Sequence, residues 1–181
     1  MGITETKLKD CFILEPQVFQ DPRGYFFESF NQKSFFEATG QHVNFIQDNE
    51  TFSSKGVLRG LHFQTGNFAQ AKLVRVIKGR VLDIAVDVRQ DSSTFGEYQT
   101  IELSEDNKKQ FFLPRGFAHG FVVLSDTAIF AYKCDNYYNK ESEAGIIYND
   151  PTLNIDWQLS ENELLLSDKD KMLPTFEAFF K

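Results

Sequence analysis

Polar and apolar residues alternate along the middle of this chain. In Arg80-Val81-Leu82-Asp83-Ile84-Ala85-Val86-Asp87-Val88 one parity holds Leu82, Ile84, Val86 and Val88. That parity predicts a strand with a core face. Similar runs lie at 72–77, 98–103, 110–113, 117–124 and 128–134. Gly79, Ser92-Ser93-Thr94-Phe95-Gly96, Glu105-Asp106-Asn107 and Pro114-Arg115-Gly116 separate them. From 43 to 148 the pattern is almost all strand, and short strands at even spacing predict a sandwich or barrel. Upstream, Cys11-Phe12-Ile13-Leu14 and Tyr25-Phe26-Phe27 bracket the turn composition Asp21-Pro22-Arg23-Gly24, so 11–31 reads as strand, turn, strand. Ser34 and Glu37 have capping-box spacing and Gly40 can end the helix they start. The tail from Asn149 is read as helical, with Ser160/Glu163 and Ser167/Asp170 at cap spacing and a break at Pro174. No repeat, low-complexity tract or linker divides residues 1–181, which predicts a single domain.

Composition narrows the function. The 181 residues are 41% hydrophobic and 25% charged, ordinary for a globular protein. Twenty Phe against 6 Tyr and 1 Trp suit pleated surfaces. The net charge of −7 argues against nucleic acid, which calls for a basic field. No apolar run reaches membrane-spanning length, and the N-terminus has no signal-peptide pattern. With only Cys11 and Cys134, a disulfide framework is excluded and a reducing cytoplasm expected. Three histidines leave any metal site short of ligands.

Two segments carry candidate chemistry: Gly56-Val57-Leu58-Arg59-Gly60-Leu61-His62-Phe63-Gln64 running on to Lys72, and Pro114-Arg115-Gly116-Phe117-Ala118-His119-Gly120-Phe121. Their spacing resembles the paired motifs of the cupin superfamily, small double-sheet jelly rolls. Metal-binding cupins have His-x-His followed by Glu. Here Gln64 stands in place of the second His and no Glu follows in reach, so the expected pocket holds no metal. His62 is then the natural proton acceptor, since only His titrates near neutrality unperturbed. A lone His is more often a satisfied core residue, but Arg59, Lys72 and His119 crowd the same motifs. In a regular strand Arg59 points away from His62; one pocket can hold both only if Gly60 permits a bulge. Asp83 is either an exposed Asp or a buried one paired with His119. Asp170 is either a helix-terminal charge or the carboxylate that orients His62. Tyr132 is a candidate acid or one more sheet aromatic, and the composition favours the second.

Arg59-Gly60-Leu61-His62-Phe63-Gln64, Gln70-Ala71-Lys72-Leu73-Val74-Arg75-Val76 and Ser93-Thr94-Phe95-Gly96 carry a fuller resemblance. So do Phe117-Ala118-His119-Gly120-Phe121, Tyr132-Lys133-Cys134 with Tyr137-Tyr138, Asn149-Asp150-Pro151 and Leu166-Ser167-x-Lys169-Asp170. Together they resemble the dTDP-4-dehydrorhamnose 3,5-epimerase family over nearly the whole chain. The resemblance implies an all-β, cupin-type double-sheet jelly roll with short N-terminal and C-terminal helices. It also implies a cytoplasmic homodimer without metal or cofactor, acting on dTDP-4-dehydro-6-deoxy-glucose on the way to dTDP-L-rhamnose. By resemblance His62 is the base and Asp170 its partner. Tyr132 is the acid on the opposite face, and Lys72 stabilises the enolate oxygen. Arg59 and His119 contact substrate, with Asp83 supporting His119. Arg23, Glu28, Gln47, Asn49, Glu143 and Lys169 bind the nucleotide sugar, and Phe19 and Phe26 flank the thymine. Arg23 and Glu28 are expected to serve the partner's pocket. The chain departs from the family at Thr65-Gly66-Asn67-Phe68 and at Asp135.

Other readings have distinct signatures. A C3-only or C5-only epimerase, or a ketoisomerase of the same fold, would differ in product. A non-catalytic sugar-binding cupin would need no opposed base and acid. A metal-dependent dioxygenase is disfavoured by Gln64 and the missing Glu.

Overall fold

The computed structural model describes residues 2–181. In chain order its strands are β1 (Gly2–Glu5), β2 (Phe12–Glu15), β3 (Phe19–Asp21), β4 (Gly24–Phe26), β5 (Gln47–Ser54), β6 (Leu58–Gln64) and β7 (Lys72–Lys78). Then follow β8 (Arg80–Asp87), β9 (Tyr98–Ser104), β10 (Gln110–Leu113), β11 (Phe117–Val123), β12 (Thr127–Cys134) and β13 (Glu143–Gly145). Helix α1 (Gln32–Thr39) lies near the start and α2 (Phe176–Phe180) near the end. Six strands form one sheet in the order β1-β2-β10-β7-β12-β5, and five form another in the order β13-β6-β11-β8-β9. The pairing is antiparallel throughout both sheets. The all-β double-sheet jelly roll with short terminal helices is therefore the observed fold.

Residues from both inner faces make the central core. Val74, Val76, Phe111 and Phe130 come from the six-stranded sheet, and Val81, Ala85, Leu103, Phe117 and Phe121 from the other. Burying a Phe side chain such as Phe130 is worth roughly 1.5–3 kcal/mol, and its ring stacks on Phe121 at 4.2 Å between centroids.

The alternation in β8 predicts one core face, but the strand is buried on both. Leu82, Ile84 and Val86 lie under the C-terminal tail, packed with Ile146, Leu153, Trp157 and Phe176. Val81, Asp83, Ala85 and Asp87 face the other sheet's side and are equally buried. A third cluster seats α1, through Phe35, against Phe12, Leu73 and Phe112.

Three local expectations are corrected. The helix cap is Asn31, whose side chain accepts from Ser34 N–H, rather than Ser34 itself; Gly40 closes the helix in the left-handed region as expected. Cys11-Phe12-Ile13-Leu14 belongs to the six-stranded sheet, while the Asp21–Gly24 turn closes a separate hairpin of β3 and β4. The tail is not mainly helical: it makes short 3₁₀ turns at Glu161–Glu163 and Asp170–Met172, with α2 following Pro174. Side-chain caps and apolar packing on β8 hold it instead.

Candidate functional site

The site lies between the sheets. His62 comes from β6 and His119 from β11, both in the five-stranded sheet, while Lys72 (β7) and Tyr132 (β12) come from the six-stranded sheet. A cavity of about 530 Å³ is lined by all four, with Arg59, Phe121, Phe130, Lys169 and Asp170. A neighbouring lobe of about 370 Å³ shares His62, Lys72 and Tyr132 and adds Gln47, Asn49, Gln64, Tyr138 and Glu143.

Arg59 and His62 reach one cavity because β6 is irregular. His62 pairs with His119 and Arg59 with Phe121, so β6 carries one more residue than β11 between these pairs. This is a bulge, and it puts two side chains three positions apart on one face. Gly60 sits in it at φ +129°, where a Cβ would come within 2.5 Å of Gly120 Cα. Only glycine meets both demands.

Two histidine–carboxylate pairs flank the cavity. His62 Nε2 lies 2.6 Å from Asp170 Oδ1, with the imidazole 29% and the carboxylate 5% exposed. Burial pushes Asp170 up, but the His62 hydrogen bond and charge, Ser167 and Lys169 outweigh it and hold it below the usual carboxylate range. His119 Nε2 lies 2.9 Å from Asp83 Oδ2, both almost wholly buried. Burial pushes Asp83 up, against the lowering effect of His119 and Lys72. Asp83 is thus buried and paired with His119, which excludes an exposed Asp; Asp170 opens a short 3₁₀ turn and is at the same time paired with His62.

Lys72 sits beside Tyr132, its ammonium 5.9 Å from the ring centroid. Burial lowers the Lys72 pKa, opposed by Cys134, Asp83 and Glu143. Burial, then Cys134, raises Tyr132, so the phenol keeps its proton. Asn49 pairs with Tyr132 across β5 and β12, and Gln47 Nε2 donates to Asn49 Oδ1 at 3.2 Å. Arg59 Nε donates to Ser53 Oγ at 3.3 Å. Glu143 takes Lys169 Nζ at 2.5 Å and the Tyr138 hydroxyl at 2.9 Å. Burial raises Glu143, but these two partners more than offset it and its pKa falls.

Of the residues singled out in the sequence, the fold brings His62, Lys72, Tyr132, Asp170, Arg59, His119, Gln47, Asn49, Glu143 and Lys169 to the two lobes, with Asp83 behind His119. It does not bring Phe19, Arg23, Phe26 or Glu28. The first three line a separate pocket on the β3–β4 hairpin, with Phe19 56% and Phe26 69% exposed. Arg23 pairs there with Asp21, and Glu28 accepts from Asn31 Nδ2 at 3.2 Å.

Tyr138, Gln64 and Ser167 also line the cavity and were not among the candidates. Tyr138 follows Tyr137 in an otherwise polar loop and had no periodic signal. Gln64 Oε1 accepts from Asn139 N–H at 2.9 Å, fixing the loop that carries Tyr138. Asp135, the departure beside the Tyr-Lys-Cys triplet, accepts from Ala71 N–H at 2.7 Å and from Arg115 Nε at 2.7 Å, which anchors the chain next to Lys72. Among the described residues, no group of three or more His, Cys, Asp or Glu stands ready to hold a metal. No helix there is long and apolar enough to cross a membrane.

A family model described as dTDP-4-dehydrorhamnose 3,5-epimerase matches residues 5–178. The chain belongs to that family. A dTDP-4-dehydrorhamnose 3,5-epimerase from Escherichia coli strain K12 is 51% identical over 181 residues, 100% of this chain and 97% of its own. Among solved structures, the enzyme of that name from Elizabethkingia anophelis superposes with a TM-score of 0.95 at 57% identity, covering 98% of this chain and 97% of its own. A dTDP-6-deoxy-D-glucose-3,5-epimerase from Legionella pneumophila, solved with dTDP-4-keto-L-rhamnose, gives 0.93 at 49% identity, covering 97% of this chain and 93% of its own.

Proposed function

We propose that this protein inverts C3 and C5 of dTDP-4-dehydro-6-deoxy-D-glucose, giving dTDP-4-dehydro-L-rhamnose for dTDP-L-rhamnose synthesis. The observation that carries the reading is the placement of His62 on one sheet and Tyr132 with Lys72 on the other, around one cavity. Both target carbons flank the C4 ketone. A C–H there is a weak acid, and its removal needs the enolate stabilised as it forms. His62 takes the proton, with Asp170 holding the imidazole and stabilising its charged form. Lys72 faces the developing oxygen charge. In a poorly solvated site one such donor is worth roughly 2.7–4 kcal/mol. The C4 oxygen is common to both inversions, so one ammonium serves both. Tyr132, kept protonated by burial, returns a proton from the opposite side.

Arg59 and His119 contact the sugar, His119 held by Asp83. Gln47, Asn49 and Glu143 bind the nucleotide part in the second lobe, with Lys169 reaching Glu143 from the first. Residues 1–181 work as one catalytic domain, through side chains and without metal or cofactor. The exposed hairpin with Phe19, Arg23 and Phe26, and Glu28 after it, serves the cavity of a second copy in a homodimer. Its two buried free cysteines suit a reducing cytoplasm.

The test is to incubate the protein with the 4-keto nucleotide sugar and assign the product by NMR. Inversion at both carbons supports the reading. Inversion at C3 or C5 alone, or isomerisation without inversion, assigns a different isomerase. Binding without turnover reduces the protein to a sugar-binding cupin.

A further inference from the structure

Asp170 reaches His62 from a strap, residues 163–173, that belongs to neither sheet. Two attachments hold its ends. Leu165 N–H donates to Gly56 O at 2.8 Å and Leu58 N–H to Leu165 O at 3.0 Å, tying the start to the entry of β6. Past the turn, Leu173 fills the space over Gly145, where a Cβ would stand 2.8 Å from Leu173 Cδ1. Gly145 is the register partner of His62 on β13, so this contact seats the strap beside the imidazole.

Between these ends the turn that carries Asp170 is three residues long. One side chain ties its first residue back to the strap: Asp170 N–H donates to Ser167 Oγ at 3.1 Å. Lys171 N–H donates to the same residue's carbonyl at 3.2 Å. A short turn has too few bonds of its own to hold one geometry, and a serine hydroxyl that takes up one of its free N–H groups helps to fix it. Ser167 is exposed and buries nothing in the core, which leaves its hydroxyl this one structural task.

We propose that Ser167 is a positioning residue, its hydroxyl fixing the Asp170 turn so that the carboxylate orients the His62 imidazole. The inference rests on the reading of His62 as the base. Without the cap the strap stays attached at Leu165 and Leu173, but the carboxylate between them loses its fixed direction. Other charged groups face the pair: Glu143 from β13, Lys169 on the strap, Lys72 across the cavity from β7, Arg59 on β6 and, behind His119, Asp83 on β8. Ser167 holds Asp170 by a side-chain bond and none of these others, so S167A leaves them in place.

The test titrates the His62 imidazole by NMR in the full-length protein carrying isotope-labelled histidine, with His62→Asn for assignment. S167A should lower the His62 midpoint by about half a pH unit, because a loosened carboxylate stabilises the imidazolium less. It should lower kcat by roughly three- to tenfold with KM nearly unchanged. S167T, which keeps the hydroxyl, should restore both. An unchanged midpoint in S167A, with or without a fall in Tm, overturns the proposal, as does failure of S167T to restore it. The titration needs no substrate. If the wild-type protein epimerises nothing, the functional reading falls while Ser167 is still judged by the midpoint.

Discussion

His62 and His119 face each other in register on neighbouring strands, and each holds a carboxylate within 3 Å, yet the two pairs are built for different work. The His119–Asp83 pair is almost wholly buried, with only the imidazole reaching the cavity wall. Its carboxylate comes from β8 and its neighbours are core residues such as Phe130, whose ring lies 6.0 Å from the imidazole. The His62–Asp170 pair opens to the cavity, and its carboxylate arrives on a strap from 108 residues away in sequence. Surroundings push the two carboxylates in opposite directions, Asp83 up by burial and Asp170 down by its hydrogen bonds. A base that exchanges protons with substrate needs an ionised partner and an open side. A group that only contacts the sugar needs no ionised partner and much less open surface.

Breaking the open pair should cost most. His62→Ala is expected to lower turnover by about 10²–10⁴-fold or more while calorimetric binding of dTDP changes little. Full activity in this variant would remove His62 from its role. Lys72→Met should follow, with a loss of roughly 10²–10³-fold in kcat, because the enolate charge then lacks its fixed counter-charge. A KM effect alone would make Lys72 a binding group.

The smallest effects concern stability, and they separate the two carboxylates by sign. Asp170 is held below its unfolded value, so it contributes stability above the ordinary carboxylate pKa and loses that as pH falls through the folded value. Asp83 is raised, so the wild-type protein loses stability as pH climbs from the ordinary carboxylate value toward the raised folded one. Scanning Tm between pH 3 and 8, Asp170→Asn should fall further behind the wild type as pH rises. Asp83→Asn should gain on it. Shifts of about 2–4 °C per kcal/mol are expected for a chain of this size. Parallel curves for both variants would show that the two sites do not differ electrostatically.

Much of this was legible in the sequence where a local rule governs. Period-two alternation marked the strands from 72 to 134 because their pleats put alternate residues on different surfaces. Asp83 stood out as a carboxylate inside an apolar run, and Gly60 as the residue able to bulge a strand that had to aim Arg59 and His62 together. The rest depends on non-local packing. Nothing local tells that the tail buries the second face of β8, or that a three-residue turn delivers Asp170 to β6. Asn31 won the cap over Ser34 because its side chain already accepts the Ser34 N–H, starting the helix earlier. The hairpin with Phe19, Arg23 and Phe26 lines a separate pocket of its own chain, and its expected work in a partner's cavity depends on contacts between two copies, which no local pattern encodes.

The central claim is that base and acid work from opposite sides of one enolate, and Tyr132→Phe in deuterated water tests it most directly. The account predicts that this variant still exchanges the substrate's protons beside the ketone for deuterium, through His62 and Lys72, while epimerised product falls to a small fraction of the wild-type yield. A normal yield of inverted product would contradict it.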